Sequence, residues 1–331
     1  MMSELGPLFD ETFLRKLDRL SLVVHKRRSG QLKGERRSTK RGTSVEFADY
    51  RNYSKGDDLR RVDWNIYARL GRPFVKLFEE EEDLSVHLLL DASTSMDWGG
   101  GIAGESRANN KWDYTRRVAA ALGYIALGSG DRLTVTSLGE RDAQGRDGKK
   151  MERGFGNPLG AKVGRDDKTF TRFGPARSKG QTLPLLRFLM EQETGGHTDL
   201  NRTLRRYALT ARRPGLLVLI TDLFSPTGYE EGLSTLLAQG YEGLVLHVLA
   251  PQEVNPPLAG DLKLVDVESG HEQEVTIDVG MRSLYRRRLA AWQDEVGRWC
   301  GQRGVTYVPV TTDVPFEQVI LFHMRRRGLV K

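Results

Sequence analysis

The chain has 331 residues, 38% hydrophobic and 29% charged, with a formal net charge of +7, which fits one large α/β domain plus a smaller unit. Its single cysteine, Cys300, excludes an intrachain disulfide and a cysteine-rich zinc site, and favours a reducing compartment. Because no apolar run approaches the ~20 residues of a membrane span and no signal-peptide core is present, we expect a cytoplasmic protein.

Residues 1–83 are predicted to form a small N-terminal accessory unit. Helical spacing covers 8–25, and short β-prone runs with turn signals occupy 45–83. Between them, the segment 26–41 carries eight lysines and arginines against one acid. Such a segment can bind nucleic acid or an anionic surface, although no zinc finger, RNA-binding motif or DNA-reading helix accompanies it. Binding through 26–41 is therefore an alternative function.

From residue 84 to 331, strands and helices alternate. Strands are expected at 84–91, 132–138, 215–221, 243–249 and 305–310, and helices at 110–128, 182–193, 199–212, 228–239, 281–302 and 315–326. Residues 139–180 are rich in glycine and charge, which indicates a flexible insertion with an edge strand near 168–173, and 261–278 is expected to be a β-hairpin. The alternation predicts an α/β fold with a doubly wound, mostly parallel sheet.

Polar side chains gather near strand ends of this predicted sheet, where doubly wound folds bind their ligands. Three hydroxyls and two carboxylates are the oxygen ligands that a hard cation such as Mg²⁺ or Mn²⁺ prefers. They would leave one coordination position for a carboxylate from outside the chain. The predicted metal-binding residues are Asp91, Ser93, Ser95, Thr198 and Asp222.

Other interpretations of these residues stay open. The segment Asp91-Ala-Ser93-Thr-Ser95 is by itself also a common helix-capping turn, and Asp199 is interpreted as a helix N-cap rather than a ligand. Phosphatases with an aspartyl nucleophile have a second carboxylate as general acid where this chain has Ser93. No Gly-x-Ser-x-Gly elbow or phosphate-binding Gly-x-x-x-x-Gly-Lys-Ser/Thr loop is present. We expect no enzyme, with a hydrolase using the metal site as an alternative.

Two resemblances carry further expectations. The order Asp-x-Ser-x-Ser, Thr, Asp resembles the metal-ion-dependent adhesion site of von Willebrand factor A-type domains, which are Rossmann-type α/β folds. Residues 46–65 and 74–76 resemble the bacterial domain of unknown function 58 family; the first segment reads EFADYRNYSKGDDLRRVDWN. The resemblances imply an adaptor or scaffold for a MoxR-type AAA+ ATPase in protein assembly or maturation. They also imply a metal that binds an acidic side chain of a protein partner, with coordination by Asp91, Ser93, Ser95, Thr198 and Asp222.

Overall fold

A computed structural model describes residues 11–22, 45–54, 56–57, 59, 62–80, 84–99, 109–139, 170–211, 213–257, 260–265 and 272–326. The chain divides into two units, a large one of residues 1–26 with 84–331 and a small one of residues 27–83. The N-terminal helix, which we expected in the accessory unit, groups with the large one. Its Phe13 is buried and packs edge to face on Phe316, with ring centroids 5.3 Å apart.

The small unit contains β1 (Val45–Asn52), α2 (Trp64–Leu70) and β2 (Phe74–Glu80). The two strands pair antiparallel. Asp63 caps α2 by accepting the N–H groups of Asn65 and Ile66, and Gly71 ends the helix with a φ of 63°. This helix was not predicted, because it buries no side chain and so lacks an apolar period.

The large unit contains six strands of one central sheet, a separate hairpin and flanking helices among its described residues. Its elements are α1 (Glu11–Leu17), β3 (Ser85–Asp91), α3 (Lys111–Gly128), β4 (Arg132–Leu138), β5 (Phe170–Ala176), α4 (Thr182–Glu191), α5 (Leu200–Thr210), β6 (Leu216–Thr221), α6 (Glu230–Ala238), β7 (Glu242–Leu249), α7 (Pro251–Val254), β8 (Gly260–Val265), β9 (Glu272–Ile277), α8 (Val279–Gln302), β10 (Thr306–Thr311) and α9 (Phe316–Gln318), which continues as a π-helical turn, Val319–Met324. The predicted alternation of strands and helices is confirmed.

The central sheet has the strand order β10-β7-β6-β3-β4-β5. All neighbouring pairs are parallel except β4 with the edge strand β5. The expected mostly parallel sheet and its edge strand are therefore confirmed, while residues 140–169 of the predicted insertion lie outside the described part. The hairpin β8–β9 pairs antiparallel, as expected.

Helices cover both faces of the sheet. On one face, Leu88 and Leu90 pack with α3 and α4; on the other, Leu89 and Leu219 pack with α5, α6 and the C-terminal half of α8. Every residue of β3 and of β6 is buried, which explains why these strands are mostly apolar instead of alternating apolar and polar residues. Each fully buried leucine contributes about 1.5–3 kcal/mol to folding. No helix in the described ranges combines the length and apolar character that a membrane crossing requires.

His87 of β3 is buried in the second of these layers. Its Nε2 lies 3.0 Å from the carbonyl oxygen of Arg213, to which it donates, and its Nδ1 accepts from the Tyr207 hydroxyl at 2.7 Å. Both bonds are satisfied by a neutral ring. Burial lowers the pKa of His87 to about 4.

We expect acidification to destabilise the protein through His87. The unfolded chain, with an ordinary histidine pKa of 6.5, takes up a proton that the folded chain excludes, so stability is lost as the pH falls from that value toward 4. The loss from this group is about 2 kcal/mol between pH 7 and pH 5. Urea unfolding of the wild type and His87→Gln at both pH values measures it. The variant's stability deficit should shrink at the lower pH, and an unchanged deficit would contradict the assignment.

Candidate metal centre

The carboxyl ends of β3 and β6 lie side by side. The two strands are parallel neighbours, with Leu90 opposite Ile220. From β3 the chain proceeds to β4 and β5 on one side, then returns to β6, β7 and β10 on the other. The sheet order therefore reverses beside β3, which is where open α/β sheets form their ligand crevices. Asp91 and Asp222 stand at this reversal.

Asp91 is held by two hydrogen bonds that orient both of its oxygens. Its Oδ1 accepts the Ser93 N–H at 3.0 Å, and its Oδ2 accepts the Thr221 hydroxyl at 2.7 Å. The hydroxyls of Ser93 and Ser95 lie 2.9 Å apart. Ser93 precedes a short helical turn but makes no side-chain capping bond to it. The Ser93 hydroxyl therefore does not perform the capping role that was the alternative interpretation.

The loop that carries Thr198 is tied to the segment after β3. The Gly195 N–H donates to the Ala92 carbonyl at 2.9 Å, and the Thr94 hydroxyl donates to the Gly196 carbonyl at 2.9 Å. Thr198 is 3% exposed, and its hydroxyl has no hydrogen-bond partner among the residues described. A buried hydroxyl without a partner costs about 1–3 kcal/mol, so an added ligand here would recover that energy.

Asp199 performs the predicted capping role. Its Oδ1 accepts the Arg202 N–H at 2.9 Å at the start of α5 and also the Thr227 hydroxyl at 2.7 Å. These bonds direct its carboxylate to the helix and to the loop after β6. The prediction that Asp199 is a helix cap is confirmed, and the prediction that Thr198 is a metal ligand stays a prediction.

A buried lysine that was not predicted lies at the centre of the site. The Lys111 ammonium, at the start of α3, is 2.8 Å from Asp222 Oδ2 and 2.6 Å from Glu253 Oε1. The side chains of Lys111 and Asp222 are 0% and 1% exposed. The other oxygen of Asp222, Oδ1, accepts the Phe224 N–H at 3.0 Å. Asp222 is therefore bound on both oxygens, one of them by a positive charge.

Burial and neighbouring charge set the protonation of these groups. Burial, and then the negative charge of Asp222, raise the pKa of Asp91 to about 6. Burial also raises the pKa of Glu253, opposed by the Lys111 ammonium. Asp222 and Glu253 contact the Lys111 ammonium, and Asp91 lies close enough to Asp222 for the two charges to act on each other. With all groups ionised, three carboxylates accompany one ammonium. The site thus carries two uncompensated negative charges in a buried setting, and a divalent cation would balance them.

The donor types fit a hard cation. In the part of the chain that is described, no group of three or more His, Cys, Asp or Glu side chains is arranged to hold a metal. A cation here would therefore depend on hydroxyl oxygens for much of its coordination, which Mg²⁺ and Mn²⁺ accept together with bound water. The predicted residues that could supply them are Ser93, Ser95 and Thr198. Lys111 competes with such a cation for Asp222.

Sequence reasoning missed Lys111, Glu253 and the role of Thr221. Their contacts join residues 111, 142 and 130 positions apart, so no local spacing reports them. One weak signal exists for Lys111: it directly precedes the buried Trp112 at the start of a helix whose N-terminal turns are largely buried. A lysine in such a turn needs a buried counter-charge.

Comparison with known proteins adds sequence relatives. The profile of a family described as "Protein of unknown function DUF58" matches residues 49–155 and 153–295. The uncharacterized protein Rv1480 of Mycobacterium tuberculosis is 28% identical over 325 residues, covering 98% of this chain and 93% of its own length. The uncharacterized protein MAV169 of Mycobacterium avium is 31% identical over 136 residues, covering 40% of this chain and 80% of its own.

Two solved structures are similar at a lower level. An aerotolerance-related membrane protein of Bacteroides fragilis aligns over 73% of this chain and 99% of its own, with 13% identity and a TM-score of 0.38. The pilus adhesin SpaC of Lactobacillus rhamnosus GG, in its open conformation, aligns over 76% of this chain and 31% of its own, with 11% identity and a TM-score of 0.42. Both scores are low, and the sequence matches are the informative comparisons.

Proposed function

This chain belongs to the DUF58 family of proteins of unknown function, and we propose that it is a non-enzymatic, metal-dependent protein-binding module with a von Willebrand factor A-like fold. The observation that supports this most is the excess of two negative charges among the buried Asp91 and Asp222 and the partly buried Glu253, the last two of which contact Lys111. A divalent cation would balance this excess, which is costly to keep buried without a counter-charge.

The chain's own residues would share the work of holding Mg²⁺ or Mn²⁺. Ser93 and Ser95, already adjacent, and the unpartnered Thr198 hydroxyl would coordinate the ion, while Asp91 and Asp222 supply charge directly or through water. When bound, the ion supplies an open coordination position for a carboxylate of a protein partner. Thr221 and the Ser93 N–H keep Asp91 oriented toward it.

The residue types at the end of β3 support binding rather than hydrolysis. Phosphatases with an aspartyl nucleophile have a second carboxylate as general acid where this chain has Ser93, and a serine hydroxyl cannot perform that role at neutral pH. The hydrogen bonds from the Ser93 N–H and the Thr221 hydroxyl hold the Asp91 carboxylate in place and leave further lone pairs on its oxygens for a cation.

For the partner we propose a MoxR-type AAA+ ATPase, with this protein as its cytoplasmic adaptor or scaffold in protein assembly or maturation. This proposal rests on the family resemblance, and the site contributes only the preference for an acidic side chain. Nucleic-acid or anionic-surface binding through 26–41 gains no support from the structure, because residues 23–44 lie outside the described part.

Affinity purification from native cells tests the proposal. Three samples are compared: tagged wild-type protein purified in Mg²⁺, the same protein purified in chelator, and the Ser93→Ala/Ser95→Ala variant purified in Mg²⁺. The proteins bound in each sample are identified by mass spectrometry. We expect an AAA+ ATPase in the first sample and its loss from the other two, because both treatments remove metal coordination. Equal recovery of the partner in all three samples would exclude a metal-bridged contact.

A further inference from the structure

The N-terminal half of α8 is unusually exposed for part of a long helix. Of the 24 residues of α8, the buried ones are Leu289, Val296 and Cys300, and two of these lie in its C-terminal half. In residues 279–290, apolar side chains face solvent instead: Met281 is 43% exposed and Leu284 is 37% exposed. Grouped exposed apolar side chains on a soluble surface mark binding sites.

The same half-helix carries four arginines: Arg282, Arg286, Arg287 and Arg288. Residues 279–293 contain no acid, and none of the four forms an ion pair with any residue in the described ranges. The exposed Arg205, by contrast, is paired with Glu231. Like charges one helical turn apart destabilise a helix by about 0.2–0.5 kcal/mol per pair, so this arrangement does not serve the stability of α8.

The half-helix is held in place by polar and aromatic contacts. The Tyr285 hydroxyl donates to the Glu253 carbonyl at 2.6 Å. Farther along, the Trp292 ring stacks on Phe224, with centroids 5.6 Å apart and an interplanar angle of 12°. The helix that carries the arginines is therefore already ordered, and binding a partner costs little conformational entropy of this helix.

We propose that residues 279–290 of α8 bind an acidic segment of a partner polypeptide, in which carboxylates pair with the arginines and apolar side chains cover Met281 and Leu284. Arginine is the side chain whose planar fork matches a carboxylate with two parallel hydrogen bonds. The interleaved apolar side chains suit a polypeptide. This site adjoins the metal centre through the bond from Tyr285 to the Glu253 carbonyl, but it uses other side chains and needs no metal.

The neighbouring hairpin decides against an extended polyanion. The strand β9 leads into α8 and packs against it, and its Glu274 is exposed, as is Asp261 of β8. These carboxylates would repel the continuous negative charge of a nucleic acid or an anionic membrane. A short acidic segment can occupy the arginine-rich half-helix without meeting them.

Fluorescence polarisation with a labelled peptide of alternating glutamate and leucine tests the site. The full-length protein is titrated in excess chelator, so that failure of the metal centre cannot affect the result. We expect Arg287→Glu/Arg288→Glu to weaken binding by about tenfold or more, since rim charges act through electrostatic complementarity. The matched control Arg325→Glu/Arg326→Glu reverses two adjacent exposed arginines elsewhere and should bind like the wild type.

Further controls separate the possible occupants. The same peptide with glutamine in place of glutamate should bind weakly, and higher salt should weaken the acidic peptide. Circular dichroism confirms that both charge-reversal variants are folded, as expected for exposed positions. Equal binding by the two variants would overturn the proposal, as would stronger competition by double-stranded DNA or phosphatidylglycerol vesicles than by unlabelled peptide.

Discussion

Replacing Asp91 with alanine is expected to abolish the stabilisation of this protein by Mg²⁺ or Mn²⁺. A cation present at 100 times its dissociation constant stabilises a folded protein by about 2.7 kcal/mol. Asp91 contributes one of the two carboxylates at the strand ends and is oriented by Thr221, so its loss removes both charge and an ordered ligand. Urea unfolding with each metal and with chelator measures the increase in the free energy of unfolding that the metal causes.

A second variant and a control make this prediction specific. Ser93→Ala/Ser95→Ala removes the paired hydroxyls without changing charge and should also lose the increment. Asp199→Ala removes a carboxylate next to Thr198 that acts as a helix cap. It should cost about 1 kcal/mol of stability while keeping the full metal increment. Identical increments in all four proteins would refute the assignment of the site.

Replacing Lys111 with methionine is expected to destabilise the protein by about 3–5 kcal/mol, the usual result of removing one partner from a buried ion pair. The ammonium is fully buried and bonds two carboxylates, Asp222 and Glu253. Methionine fills much of the same volume but leaves both carboxylates without their counter-charge. Urea unfolding in chelator measures the loss.

The chain offers a matched control for this substitution. Lys179 pairs with Asp18 at 2.7 Å, but the two side chains are 58% and 40% exposed, and Lys179→Met should cost under about 1 kcal/mol. Adding Glu253→Gln to Lys111→Met should restore part of the stability by removing one unpaired carboxylate. Lys111→Met should also bind Mg²⁺ more tightly, because Asp222 is released. If Lys111→Met cost no more than Lys179→Met, the buried ion pair would not have the role assigned to it.

Much of the fold could be predicted because burial leaves a periodic trace in the sequence. The runs that form β3 and β6 are mostly apolar, since both faces of the sheet are covered. The prediction was weaker where burial is small. The four-residue α7 is too short to show an apolar period, and α2 buries no side chain.

The site could be predicted only where it lies at strand ends. Asp91 and Asp222 follow adjacent buried strands, so the sheet topology brings them together once the strands are recognised. Lys111 is the first residue of α3, and Glu253 lies within α7. Their pairing depends on how those two helices pack on the sheet. Nothing in the local sequence specifies that docking, and so the positive charge at the site was not expected.

The buried contacts of Lys111 also set an order of events during synthesis. Its two partners lie 111 and 142 residues later in the chain, so closing these contacts needs long loops to form first. Long-range contacts of this kind form slowly, and domains fold as the chain emerges. A nascent chain therefore cannot form both contacts of Lys111 until Glu253 has left the ribosome, by which stage β3, β4, β5, β6 and β7 have already been made.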